Sequence, residues 1–250
     1  GQALFDRIGH RIEPTPYGSE MVGRARVIIA DMEALLDHGK RMIQGTGGNL
    51  RIGLGSGPGA MLTTPLLLRV ATGHRSLRIN IMRGSLPLQL QSLRAGELDA
   101  LVIDARSLVP APDLRVEHLH EMRGAFMVRS GHPLARRRSI SFATLSHYPI
   151  AATPLSDEIA RGLIERYGPI AHPEHCITLR CEELPSLVDV TRNSDTVLLA
   201  IRAAAPDLVE LPVKPVLNLT ARFALVTLQR RTEAPWLQIL RRTMDALLKD

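Results

Sequence analysis

Small and apolar residues recur in alternating steps of four and three at Met21, Ala25, Ile28, Met32, Leu35, Gly39 and Met42. This is a heptad a/d series, and Val22, Ile29, Leu36 and Ile43 add a third row beside it. The opposite face carries Arg24, Arg26, Asp31, Glu33, Asp37 and Lys40. Thr15 suits an N-cap and Pro16 the first helical position. Gly45 supplies a stop, and Thr46-Gly47-Gly48-Asn49 reads as a flexible linker. The pattern predicts one helix of roughly 29 residues, about 43 Å long at ~1.5 Å per residue. A three-row stripe of that length outruns a small lobe and calls for a partner helix; packing on its own domain is the alternative. Ala25 and Gly39 in the seam would let a facing backbone approach closely.

From Leu50 the period changes to short apolar strands alternating with amphipathic helices. Strands are expected at 50–54, 77–82, 99–104, 125–129, 149–152, 177–181, 196–201 and 221–228. Helices are expected from 56 to about 72, at 86–95 and at 236–248. The repeated order implies a parallel sheet with right-handed crossovers. The strand from Ala125 is expected to start a second lobe, and the last strand and helix to return to the first. The resulting division is 1–15, a linker helix and hinge at 16–49, one lobe from 50–121 with 221–250, and a second lobe at 122–220.

Composition narrows the function classes. The chain has 250 residues, 45% hydrophobic and 22% charged, which suits a globular protein of two small lobes. No apolar run approaches ~18 residues, so no membrane span is expected. The N-terminus shows no basic segment followed by an apolar one, so a cytoplasmic location without a signal peptide is expected. The net charge is +6, but the positive residues are spread out, and Arg136-Arg137-Arg138 is the only dense run. With aromatics at 3%, stacking on single strands is disfavoured. Cys176 and Cys181 have neither zinc-ribbon nor C-x-x-C spacing and are expected as reduced, mostly buried thiols.

Candidate chemistry concentrates at the expected strand ends. Gly55-Ser56-Gly57-Pro58-Gly59-Ala60 follows a strand and opens a helix, so it fits the dinucleotide pattern G-x-G-x-x-A. The second strand, however, ends in Met82-Arg83-Gly84-Ser85, with no acidic residue for a ribose. Only an NADP-style Arg83 would rescue that reading, and Pro58 removes one N–H from the cradle. The same geometry serves a small anion or polar ligand better, because helix N-termini present unpaired N–H groups and a positive dipole end. Ala152-Thr153-Pro154-Leu155-Ser156 would close such a cleft from the second lobe; the plain alternative makes Ser85 and Thr153 mere helix caps. No nucleophile elbow is present, since Leu54 replaces the first glycine before Ser56. His118 and His120 share one strand face while Glu117 and Glu121 are expected on the other, so no metal triad is predicted there. His172 and His175 flank a proline in a loop and read as surface or core residues. Neither a catalytic residue, nor a metal, nor a cofactor is expected.

Several of these segments carry a resemblance. Leu4-Phe5-Asp6-Arg7, a short basic stretch and Thr15-Pro16-Tyr17-Gly18 resemble, in order, the wing and linker-helix entry of LysR-type transcription regulators. Asn49-Leu50-Arg51-Ile52-Gly53-Leu54, Gly96-Glu97-Leu98-Asp99-Ala100 and His132-Pro133-Leu134-Ala135 are similar to successive parts of that family's effector domain. One departure is Arg192-Asn193-Ser194-Asp195, where relatives often carry Gly-x-Gly-Ile; Asn193 can end the helix instead.

The resemblance implies an α/β fold of two Rossmann-like lobes, like a type-2 periplasmic binding protein, preceded by a long linker helix. It further implies a small-molecule effector, a small carboxylate among the candidates, and a homodimer or homotetramer. DNA would be contacted through an N-terminal domain whose two preceding helices are expected to be missing here. The effector-contacting residues so implied are Ser56, Gly57, Pro58, Gly59, Gly84, Ser85, Leu86, Asp104, Thr153, Pro154 and Asp195. A periplasmic-type solute-binding protein and an NADP-binding enzyme are the rival readings.

Overall fold

A computed structural model describes residues 2–9, 11–44, 48–74 and 77–249, with the side chains of residues 8 and 37–44 left aside. Gly39, Met42 and the stop at Gly45-Thr46-Gly47 therefore lie outside the described side chains or residues.

The chain opens with a hairpin, β1 (Phe5–Ile8) antiparallel to β2 (Arg11–Pro14). Helix α1 (Pro16–Gln44) then runs for 29 residues, the predicted length. Its start follows local rules: the Thr15 hydroxyl accepts from the Gly18 N–H at 2.8 Å and donates to the Ala3 carbonyl at 2.9 Å. Only part of α1 touches its own body. Ala30 is buried, and Asp31 lies 3.7 Å from Arg231, yet Ile28, Met32 and Leu35 remain 67%, 60% and 71% exposed. The apolar stripe is thus left open along this stretch.

The body follows as β3 (Gly48–Leu54), α2 (Ser56–Gly73), β4 (Leu77–Met82), α3 (Leu86–Arg94), β5 (Ala100–Asp104) and β6 (Leu114–Val128). Next come β7 (Ile140–Ser141), α4 (Phe142–Leu145), β8 (Ile150–Ala152), α5 (Asp157–Tyr167), α6 (Pro173–Cys176), β9 (Ile177–Arg180), α7 (Leu184–Arg192) and β10 (Val197–Ile201). The chain finishes with β11 (Val209–Glu210), β12 (Val213–Lys214), β13 (Thr220–Leu228) and α8 (Leu237–Leu247). The main sheet has the order β4-β3-β5-β13-β6-β10-β8-β9, with β11 also on β6.

The structure departs from the sequence expectations at three places. Gly48 and Asn49 belong to β3, not to a linker, because they pair with Leu77 and Arg78. The sheet is mixed: β3 is parallel to β4 and β5, and β8 to β9 and β10, but β13 and β6 run antiparallel between these groups. The strand expected at 125–129 is the end of the continuous 15-residue β6. Its first part pairs with β13 over 114–123 and its last part with β10 over 124–127. Residue Gly124 marks the crossing, its N–H donating to the Leu219 carbonyl of the returning chain at 2.9 Å.

Strands buried on both faces alternate between two cores, as the period of two dictates. On β5, Ala100 and Val102 pack with α2 and α8 residues, while Leu101 and Ile103 pack with Leu93 and Val226 on the other face. In the other half, Phe126 and Val128 enter one core and Ala125 and Met127 another. Each fully buried leucine contributes roughly 1.5–3 kcal/mol, so these four clusters dominate the fold's stability.

The β6–β13 ladder also carries a bulge. Phe223 faces His120 and Leu225 faces Glu117, so Ala224 alone opposes both His118 and Leu119. His118 adopts φ 51°, the only non-glycine residue in that region among those described. The extra residue breaks the simple alternation expected at this strand. Glu117 bonds Arg241 of α8, on the same side as the two histidines, which face Asp245 of α8. The expectation that Glu117 lies opposite the histidines is therefore corrected.

Candidate functional site

The carboxyl ends of the strands in the two halves face each other across one cleft, the place where open α/β sheets bind ligands. Its cavity measures about 220 Å³. Gly55, Ser56, Gly57 and Pro58 enter from the end of β3, Gly84, Ser85 and Leu86 from the end of β4, and Asp104 from the end of β5. Thr153, Pro154, Leu155 and Ser156 enter from the end of β8. Nine of the eleven residues implied by the resemblance thus line one space.

Two do not. Gly59 is buried beneath the Arg83 guanidinium, which fills the space a side chain would need. Asp195 precedes β10, at the strand end away from the cleft, where it pairs with Arg129 at 2.7 Å. Both assignments treated neighbours in sequence as neighbours in the cavity. A helical turn rotates Gly59 inward, and Asp195 sits at the wrong end of its strand.

The two helix N-termini are open. Gly55 and Ser85 hold the N-cap positions of α2 and α3, and neither makes a side-chain capping hydrogen bond. Their first-turn N–H groups therefore point at the cleft without a protein acceptor in the usual capping position. Ser85 is at a cap position but does not cap. Thr153 is no cap at all: Ser156 takes that role for α5, its hydroxyl accepting from the Ile159 N–H at 3.4 Å.

Residues that sequence reading did not find complete the walls. Gln89 is fully buried on α3, donating from Nε2 to the carbonyls of Leu54 (3.1 Å) and Gly84 (2.9 Å). Its Oε1 has no partner among the described residues, and Gln89 lines the cavity. The signal was present: Gln89 is the polar position within the stripe Leu86, Leu90 and Leu93. Leu217, Leu219, Thr220 and Phe223 come from the returning chain and had no local signal. The Phe223 ring also lies against Gly57, which explains the glycine there.

Electrostatics sharpen the picture. The cavity walls carry Asp104 and Glu182 but, among the described residues, no Lys, Arg or His. Burial holds the Asp104 carboxyl above its ordinary value, opposed by hydrogen bonds from the N–H groups of Arg106 (3.1 Å) and Arg222 (3.2 Å). Arg83 is not free for a nucleotide phosphate, since it lies 3.6 Å from Glu183 of the other half. Cys176 and Cys181 are free thiols, and burial raises the Cys176 pKa, which disfavours the reactive thiolate. No helix among the described residues is long and apolar enough to cross a membrane.

Comparison with known proteins agrees with this geometry. The model of the LysR substrate binding domain matches residues 44–248. The SDS degradation transcriptional activation protein of a Pseudomonas species is 28% identical, over 96% of this chain and 80% of its own length. The HTH-type transcriptional regulator GbpR of Azospirillum brasilense is 23% identical, over 83% of this chain and 57% of its own length. Among solved structures, CbnR, a LysR family transcriptional regulator, superposes with a TM-score of 0.64 at 15% identity, covering 95% of this chain and 83% of that one. CbnR complexed with its target DNA gives a TM-score of 0.63 at 17% identity, with the same coverage. The observed halves and cleft accordingly have the type-2 periplasmic binding protein architecture, and the chain belongs to the LysR substrate-binding domain family.

Proposed function

We propose that this chain is the sensing and dimer-linking part of a LysR-type transcription regulator. A small molecule binds between the halves, shifts their relative arrangement, and α1 passes that shift to DNA-binding domains. The observation that carries the reading is the cleft itself, a partly open space between two halves with two uncapped helix N-termini. Its division follows 50–121 with 221–250 for one half and 122–220 for the other, with α1 as the dimer linker. The function is regulatory, not catalytic.

The walls point to the effector's shape. Leu86, Ile103, Leu199, Leu217 and Phe223 suit an apolar body, and the α2 and α3 N-termini suit a compact polar or carboxylate head, while Gln89 Oε1 suits a hydrogen-bond donor on the ligand. A ligand of this kind acts only through different affinities for the two arrangements of the halves.

The test is a thermal-shift screen of small carboxylates, aromatic acids and amino acids against the chain and its Thr153→Trp variant. A true effector raises the melting midpoint of the parent chain in a saturable way, and the tryptophan weakens that affinity at least about tenfold. A hit that binds both proteins equally does not use this cleft, and the proposal fails for it.

A further inference from the structure

We infer that His118, His120 and Asp245 form a binding site for a divalent transition-metal ion of the zinc class, away from the effector cleft. The three residues bring one ligand atom each to within 4.8 Å of one another. His118 Nδ1 lies 3.6 Å and His120 Nε2 3.4 Å from the same Asp245 carboxylate oxygen. A tetrahedral ion with bonds of ~2.0–2.1 Å separates its ligand atoms by about 3.3 Å, so the cluster is already near coordination spacing. Two imidazoles and a carboxylate match zinc, cobalt or nickel and leave a fourth position for water.

Three further observations support the site. First, His120 Nε2 is buried yet makes no hydrogen bond among the described residues; its approach to Asp245 is close but poorly aligned. A buried ring nitrogen without a partner is costly, and a metal bond would satisfy it. Second, the β6 bulge places His118 in the left-handed region at φ 51°, a conformation unfavourable for a non-glycine residue. That distortion carries the His118 imidazole to the Asp245 carboxylate. Third, the surroundings leave the Asp245 charge available. On α8, Arg241, four residues before Asp245, is held by Glu117 and Glu233, and Arg115 pairs with Glu233 at 3.0 Å. Among the described residues, the ion-pair partners of Asp245 are the two imidazoles alone. An ion here would clamp the last helix to the one strand that runs through both halves.

The experiment uses the tag-free 250-residue chain, stripped with chelator and titrated with zinc chloride by calorimetry and by competition with a chromophoric chelator. One equivalent is expected to bind, with a rise in melting midpoint, and cobalt(II) is expected to give the visible absorption of a tetrahedral site. His120→Ala and Asp245→Asn are expected to weaken zinc binding by more than about 100-fold and to abolish the midpoint shift, each variant melting like the stripped parent in chelator. Asp245→Asn is nearly isosteric at a half-exposed position, so it decides the question if His120→Ala does not fold. No stoichiometric zinc binding would overturn the site in favour of a plain imidazole–carboxylate contact. Binding that survives unchanged in Asp245→Asn would equally overturn it, because the ion would then sit elsewhere. Neither outcome touches the effector reading, since the cleft residues are different.

Discussion

The Arg106 guanidinium on one side of the cleft lies 3.4 Å, at Nε, from the Glu158 carboxylate on α5 of the other side. Arg106 is 9% exposed and Glu158 55%, so the pair joins a buried anchor to a solvent-facing latch. The anchor also donates to the Thr220 carbonyl and, at 3.0 Å, to the Thr220 hydroxyl on the returning chain. One side chain therefore ties together the end of β5, the second crossing segment and α5. Arg83–Glu183 spans the halves at a second point.

The two partners of the latch should behave unlike each other. Glu158→Gln removes a half-exposed charge and is expected to change stability by less than about 1 kcal/mol. Arg106→Ala strips a buried hub and leaves Thr220 acceptors unpaired, for a loss of about 2–3 kcal/mol. Chemical denaturation measures both, and equal losses would contradict the hub-and-latch asymmetry. Small-angle scattering of Glu158→Gln should show a more open average arrangement than the parent.

Asp104 gives a pH-dependent prediction. Burial is the leading cause of its raised pKa, so ionisation disfavours the folded state relative to the unfolded one. Its contribution is most favourable at low pH and declines as pH rises from about 4 through the raised folded value. Both of its backbone bonds fall on Oδ1, which asparagine can reproduce. Asp104→Asn should therefore melt higher than the parent at pH 7, with the gain shrinking toward pH 3. A lower midpoint at pH 7 would mean that attraction to Arg106 outweighs burial.

His132 runs the other way. Its Nδ1 accepts from the Leu134 N–H at 3.0 Å, and Nε2 lies 3.2 Å from the Asp195 carbonyl, an arrangement for the neutral ring. Burial lowers its pKa. The stabilisation is complete above the unfolded value of about 6.5 and is lost as pH falls through the depressed folded value. His132→Ala should cost about 1–3 kcal/mol at pH 7.5 and flatten the stability profile between pH 7 and 5. An unchanged profile in equilibrium unfolding would remove His132 as its source.

The open stripe on α1 predicts self-association through Ile28, Met32 and Leu35. Leu35→Glu places a charge in that seam and should shift sedimentation equilibrium toward monomer by at least about tenfold in dissociation constant, while the melting of each monomer stays unchanged. A variant that sediments like the parent would sink the seam. A variant that fails to fold would instead show that the stripe packs on its own body.

How much of this was legible in advance depended on the range of the interaction. The start of α1 and the strand–helix alternation from Leu50 were readable because capping and periodicity act within a few residues. Nine of eleven implied cleft residues line the cavity because loops after parallel strands converge on one sheet edge whatever their distance in sequence. Gly59 and Asp195 failed for the reverse reason, since chain proximity does not say which way a helical turn rotates or which strand end is near.

The sequence by itself determined the long helix α1, its heptad stripe, the α/β order and the glycine-rich turns at the strand ends, all set by local backbone and side-chain preferences. Tertiary structure alone decided that β6 crosses both halves, that Gln89 and Phe223 close the cavity, and that Asp245 meets His118 and His120. The Asp245 contacts join residues more than a hundred positions apart and turn on one bulge in one ladder. Pairing register and packing choose among such arrangements only when the whole sheet forms, so no window along the chain contains them.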